Sequence, residues 1–367
     1  SIDLDIQLEN LLEKEISNQL ISDAPIGTFL SGGIDSSLVT AIAQKVSNKK
    51  IDTFTIGFKN KKFDEAQDAK KISKIIGTNH HEKYIDDIEL INCAENISTI
   101  YDEPFSDSSQ IPTYMVSNFA SNDVKVVLSG DGGDEIFGGY NRYILTNKYF
   151  SYLKFIPNII IKLIKLSISN KFLKDKLLLI LKTFTLNKKI NLNSKILEKL
   201  YHVIDKKNFL EYYDNLISVS QNHKEYLLKV DENNELSSHL NRLYIQLANL
   251  RETEKMILMD IIFCLPSDIL CKVDRASMAN SLEVRCPFLS KNIFDFSSDL
   301  EIDHKLNKKE GKIILKKILG KYLPPKLFNK PKKGFGVPME DWQRGILKKK
   351  IDETIYNADL KKLSMRK

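Results

Sequence analysis

Residues Gly27 to Val46 read GTFLSGGIDSSLVTAIAQKV. A short apolar run, Ile26 to Leu30, breaks at Ser31-Gly32-Gly33. Beyond Asp35-Ser36-Ser37 the apolar residues Leu38, Val39, Ile42, Ala43 and Val46 recur at helical spacing. The pattern predicts a strand, a glycine-rich turn and a helix. Such a junction suits an anion, because N–H groups of the turn and helix start point outward with the helix dipole behind them. It is not a Walker A loop: Asp-Ser-Ser stands where Lys-Ser or Lys-Thr would follow the glycines.

Outward from this stretch, Ile6, Leu8, Leu11, Leu12, Ile16 and Leu20 share one face of a helix predicted over Asp5 to Leu20. On the other side come a strand from Ile51 to Phe58 and a helix from Asp64 to Ile76, ended by Gly77. A third strand is expected at Glu82 to Ile85, then helices reaching Ile100 and covering Ile111 to Ala120, then a buried strand from Val124 to Leu128. This order predicts an α/β fold with a doubly wound parallel sheet, whose ligands bind at the carboxyl ends of the strands where strand order reverses. A second glycine-rich loop, SGDGGDE from Ser129 to Glu135, follows the last of those strands. It is no dinucleotide fingerprint, since Glu135 occupies the place of the final glycine. Two phosphate-compatible loops would then face one crevice. Asp35 and Asp134, both pointing inward, would supply hard oxygen ligands for Mg²⁺.

The 367 residues suffice for one large or two medium domains. A net charge of +7, from 55 basic and 48 acidic residues, suits phosphorylated substrates, whereas a long nucleic acid calls for a stronger patch. The four cysteines, Cys93, Cys264, Cys271 and Cys286, form no Cys-x-x-Cys pair, which points away from a zinc site or disulfide framework and towards a reducing cytoplasm. No signal peptide or membrane span is expected: the most apolar stretch, Phe155 to Leu166, is interrupted by Pro157, Lys162 and Lys165 and reads as a helix packed on a core. The expected organisation is an α/β core over 1–142, a lysine- and leucine-rich helical insert over 143–255, and a C-terminal helical part over 256–367 that completes the active site. The last part contains DILCKVDRASMANSLEVRCPFL, Asp268 to Leu289, and the basic loop NKPKKGFGVP, Asn329 to Pro338.

SGGIDSS, FTIGF, GTNHHE, SGDGGDEIFGGY, VDRASMANSLEVRCPFL and PKKGFGVP, in this order, resemble the synthetase domain of glutamine-dependent asparagine synthetases, from about Asp5 to the C-terminus. The resemblance implies an adenine nucleotide alpha hydrolase-like core. It also implies attack of a substrate carboxylate on the α-phosphorus of Mg-ATP, giving an acyl-adenylate and pyrophosphate, with ammonia then displacing AMP to form an amide. Ser31, Gly32, Gly33, Asp35, Ser36 and Ser37 match the family's pyrophosphate loop, and Asp35 and Asp134 its Mg²⁺ carboxylates. Leu30, Ile56, Ser129 and Gly130 match positions around adenosine, with core or turn packing as the alternative. Lys332 matches the lysine that stabilises charge on the reacting phosphate, Lys312 is a candidate pyrophosphate contact, and Asp131 matches a residue that takes a proton from the attacking amine, a glutamate in some relatives. Asp274, Arg275, Glu283 and Arg285 belong to the signature, or else form buried ion pairs between helices.

The chain departs from the family in two informative places. Its sequence lacks the glutaminase half with its N-terminal cysteine, so ammonia is expected from solution or from a glutaminase domain or partner. The segment DEPFSDSSQIPTY, Asp102 to Tyr114, lacks the arginine that some asparagine synthetases use to bind substrate. The leading expectation is aspartate as the acid. The rivals are another acid, such as a sugar uronic acid for surface polysaccharide, a catalytically silent ATP-binding domain, and a nucleic-acid-modifying adenylating enzyme.

Overall fold

The computed structural model describes residues 3–61, 64–153, 155–170, 173–175, 194–218, 235–329 and 337–357. Among them the chain divides into two compact units, one formed by 3–141 with 257–357 and the other by 142–256.

The first unit begins with helix α1, Leu4–Gln19, and strand β1, Ile26–Phe29, followed by α2, Ile34–Val46, and β2, Asp52–Gly57. Helix α3, Ala66–Ile76, stops at Gly77, whose φ of +87° ends it in the left-handed region. Then come β3, Asn79–Tyr84, α4, Asp87–Ile100, α5, Gln110–Ala120, β4, Val126–Leu128, and the one-turn α6, Gly133–Ile136. Strand β5, Glu283–Arg285, arrives from the C-terminal part of the chain. All five strands are parallel, in the order β3-β2-β1-β4-β5, with Thr28 of β1 opposite Thr53 of β2 and Leu128 of β4.

Helices cover both faces, and successive residues of a strand serve opposite cores. Leu128 joins Leu8, Leu12, Ile42 and Ile318 on one side, whereas Val127 joins Phe54, Met115 and Val116 on the other. This two-sided burial explains why β4 is uniformly apolar. A hydrogen bond of 2.9 Å between the hydroxyls of Thr28 and Thr40 ties β1 to α2 without leaving a buried polar group unpaired. The chain leaves β1 in one direction through β2 and β3 and returns on the other side as β4, so the strand order reverses between β1 and β4. The crevice of a doubly wound sheet lies there.

Strand β4 begins two residues later than expected, at Val126, and two other strands differ further. Strand β3 begins at Asn79, not Glu82, because it is a sheet edge whose His80, His81 and Glu82 are only half-buried and give no apolar run. Strand β5 was not anticipated; three residues of period-two alternation are too short to stand out. It makes the C-terminal part integral to the α/β core.

The second unit contains helices Asn158–Ser169, Ser194–Val203, Phe209–Ile217 and Glu235–Gln246. Its core is aromatic: Phe150 meets Phe209 edge-on at 5.7 Å between ring centres, and Phe209 stacks on Tyr244 at 5.3 Å.

Candidate active site

Both glycine-rich loops leave the sheet at the reversal. After β1 the backbone turns at Gly32, whose φ of +80° favours glycine, and enters α2 at Gly33. Hydroxyls close this turn from within: Ser36 Oγ accepts from the Ser31 N–H at 3.2 Å and pairs with Ser31 Oγ at 3.0 Å, while Ser31 Oγ accepts from the Gly33 N–H at 3.3 Å. The loop after β4 lies directly against it. A Cβ on Gly130 would fall 2.7 Å from the Ser36 nitrogen and 2.8 Å from the Asp35 Cβ, so only glycine permits this approach of the two loops.

Asp35 in the first turn of α2 and Asp134 in α6 converge on one cation, the ammonium of Lys312. That lysine caps helix Ile313–Leu319 with a φ of +56°, its N–H donates to the Phe137 carbonyl at 3.3 Å, and its Nζ sits 2.5 Å from Asp134 Oδ1 and against Asp35 Oδ2. Lys312 is 5% exposed. Burial alone would lower its pKa, but the charges of Asp134 and Asp35 outweigh that and hold it above the ordinary lysine value.

Asp131 receives a hydrogen bond from Ser129 Oγ at 2.6 Å, and the Ser129 N–H donates to the Arg285 carbonyl at 2.8 Å, which anchors the loop on β5. Burial pushes the Asp131 pKa up, opposed by the Ser129 hydrogen bond and the charge of Lys272. Glu135, 1% exposed, accepts from Tyr140 Oη at 2.5 Å; burial, aided by the charge of Asp134, pushes it up to about 7.

The structure therefore brings together Ser31, Gly32, Gly33, Asp35, Ser36, Ser129, Gly130, Asp131, Asp134 and Lys312. It does not bring three other candidates to an accessible surface. Ser37 is fully buried, with no hydrogen-bond partner for its hydroxyl among the described residues. Leu30 and Ile56 are core side chains, 1% and 3% exposed, in clusters on opposite faces of the sheet. Lys332 lies outside the described residues.

Arg275 pairs with Asp102 at 3.1 Å and with Asp274, but at the surface, so the alternative of buried ion pairs does not hold for them. Arg285 donates to the backbone carbonyls of Gln19 and Ile21 at 2.6 and 2.8 Å, fastening β5 to the end of α1. Sequence reasoning missed Lys272. It is buried, and its Nζ lies 2.8 Å from both Asp107 Oδ2 and Ser109 Oγ, fixing the segment that precedes α5. Its only signal was a lysine inside an otherwise helical, partly apolar motif.

Asp35 and Asp134 are the pair able to hold a divalent cation. They already converge on a buried positive charge, both are hard oxygen donors, and Mg²⁺ ordinarily takes one or two carboxylates plus substrate phosphates, not a protein cage. Besides Asp35 and Asp134 on Lys312, Asp131 and Glu135 each feel the charge of Asp134, and a polyphosphate would enter such acidic surroundings only with added positive charge.

A family model described as asparagine synthase matches residues 7–366. Asparagine synthetase [glutamine-hydrolyzing] 1 of Bacillus subtilis is 31% identical over 355 residues, covering 96% of this chain and 52% of the relative. A Mycobacterium bovis protein, also named for glutamine-hydrolysing asparagine synthetase, is 31% identical over 347 residues, covering 92% and 49%. The chain thus spans about half the length of these curated relatives. On a match that runs through both glycine-rich loops, β5 and Lys312, the chain belongs to the asparagine synthase family.

Proposed function

We propose that the chain is an ATP-dependent amide ligase that adenylates a small carboxylic acid, with aspartate as the first choice, and passes the acyl group to ammonia with release of pyrophosphate and AMP. The observation that carries this reading is the contact between the two glycine-rich loops at the strand reversal, with Asp35 and Asp134 converging on Lys312. Adenylation asks for in-line placement and neutralisation of charge more than for an acid or base. In this reading the first-turn N–H groups of α2 receive the pyrophosphate, those of Ser31 and Gly33 being engaged within the turn, and Lys312 supplies positive charge beside it. Mg²⁺, held by Asp35 and Asp134, would add charge neutralisation on the phosphates.

Asp131, whose pKa is raised by burial so that its carboxylate is a stronger base, is the group we assign to accept a proton from the attacking amine. Lys332 keeps the role that the family resemblance gives it, stabilising charge on the reacting phosphate. The relatives are named for glutamine hydrolysis, and we infer ammonia supplied by a glutaminase domain or partner.

The test is pyrophosphate release from Mg-ATP with ammonium, comparing aspartate with other acids, uronic acids included, and identifying products by mass. Asparagine and AMP are expected. Turnover with a uronic acid alone would replace aspartate, an outcome that the absence of arginine from Asp102 to Tyr114 keeps in view. Asp35→Asn should abolish pyrophosphate release with the fold intact, and undiminished release would overturn the Mg²⁺ assignment.

A further inference from the structure

Between Glu135 and Asp175 the sequence contains no Asp or Glu and seven Lys or Arg. Helix Asn158–Ser169 lies in this interval and is apolar on two opposite faces. Ile161 and Ile168, seven residues apart, are buried. On the other side Ile159, Leu163 and Leu166, at i, i+4 and i+7, are 70%, 59% and 64% exposed, and Ile160 flanks them. Phe155, just before the helix, is 82% exposed. The expectation of a helix packed on a core thus holds for one face only.

The charges bordering the stripe sort themselves by side. Lys162 is exposed next to it, whereas Lys165 turns towards Asp205 at 2.6 Å. Exposed aliphatic residues in one contiguous row are unusual on a soluble surface and mark a docking face. A partner protein of ordinary composition would leave acids as well as bases around the row. The exposed Lys162, in a stretch of sequence that carries bases and no acids, instead suits a surface that is apolar beneath and anionic on top, with the lysine stem lying along the apolar layer and its ammonium group among headgroups. The helix has 12 residues, and no described helix is long and apolar enough to cross a membrane, so attachment would be in the plane of the interface.

We propose that helix Asn158–Ser169, together with Phe155, docks the chain peripherally on an anionic lipid surface. The expectation of no membrane partner rested on the absence of a spanning segment and does not extend to this mode of attachment. The proposal is independent of the ligase reading, because none of these residues lies in the candidate active site.

The test is co-sedimentation of the intact chain with vesicles of phosphatidylcholine alone or mixed with phosphatidylglycerol. Binding to the mixed vesicles, weakened by salt, is expected, with little to the neutral ones. Ile159→Ser with Leu163→Ser should lower the partition coefficient on the order of a hundredfold. Lys162→Glu should remove much of the preference for anionic vesicles. Both variants should keep the circular dichroism and pyrophosphate release of the parent. No sedimentation with anionic vesicles, sedimentation indifferent to the double substitution, or a dimer in solution that the double substitution dissociates would each overturn the proposal, the last by making a second copy the occupant.

Discussion

Replacing Lys312 by methionine tests the centre of the site without reference to catalysis. The ammonium is buried and shared by two carboxylates, so Lys312→Met takes from Asp35 and Asp134 the cation on which they converge. Breaking a buried pair by removing one partner costs about 3–5 kcal/mol, much of it from the charge left behind. At roughly 2–4 °C per kcal/mol for a unit of this size, the melting temperature should fall by roughly 6–20 °C. Thermal unfolding followed by circular dichroism in Mg²⁺-free buffer at neutral pH measures this. Adding Asp134→Asn should recover part of the loss, since it removes one of the orphaned charges; a simple sum of two losses is the contrary result. Millimolar Mg²⁺ should raise the variant's melting temperature more than the parent's, because in the variant the ammonium no longer stands between the two carboxylates. The pH dependence has a definite sign. The Lys312 pKa is raised on folding, so its contribution is fully present below the unfolded lysine value of about 10.4 and is lost as pH rises through the higher folded value. A melting temperature within about 2 °C of the parent's, scaled by the same relation, would show that the two carboxylates are not held by this lysine.

Much of the first unit was legible because its signals are local. The apolar run ending at Leu30, the Ser-Gly-Gly turn and the helical spacing from Leu38 to Val46 each follow from a few neighbouring residues, and the structure has β1, the turn and α2 where these place them. The second loop was legible for the same reason. What the sequence concealed is what depends on long-range pairing. Lys312 is 277 residues from Asp35, and nothing near EGK in the chain says that its ammonium lies between two carboxylates. Strand β5 pairs with β4 over three residues only, so its identity rests on the neighbour and not on its own propensity. Lys272 is a similar case. Its partners Asp107 and Ser109 stand more than 160 positions away, and a buried lysine looks in sequence like a solvated one. Conversely, Leu30 and Ile56 carried a site assignment through the resemblance, while their apolar side chains and strand positions already described core packing.

Three further outcomes are expected, two from the geometry and one from the role that the resemblance gives Lys332. Gly130→Ala would push a methyl group into backbone and Cβ atoms of the first loop, and should cut pyrophosphate release by about a hundredfold with circular dichroism unchanged; release within twofold of the parent would mean that the loops can separate without loss. Lys332→Ala should lower kcat more than it raises the KM for ATP, because the charge it meets grows mainly in the transition state; equal losses in both would count against that role. Glu135→Gln should stabilise the protein, and only above a defined pH. The Glu135 pKa is raised on folding from 4.5 to about 7, so the folded state binds the extra proton between these values, and the destabilising charge is fully present only above about pH 7. Glutamine keeps an acceptor for Tyr140 and removes the charge beside Asp134, for a gain on the order of 3 kcal/mol at pH 8 that fades as pH falls towards 4.5. Urea unfolding of both proteins across pH 5 to 8 measures the difference, and a gain independent of pH would place its origin in packing, leaving the buried charge of Glu135 without the energetic cost assigned to it.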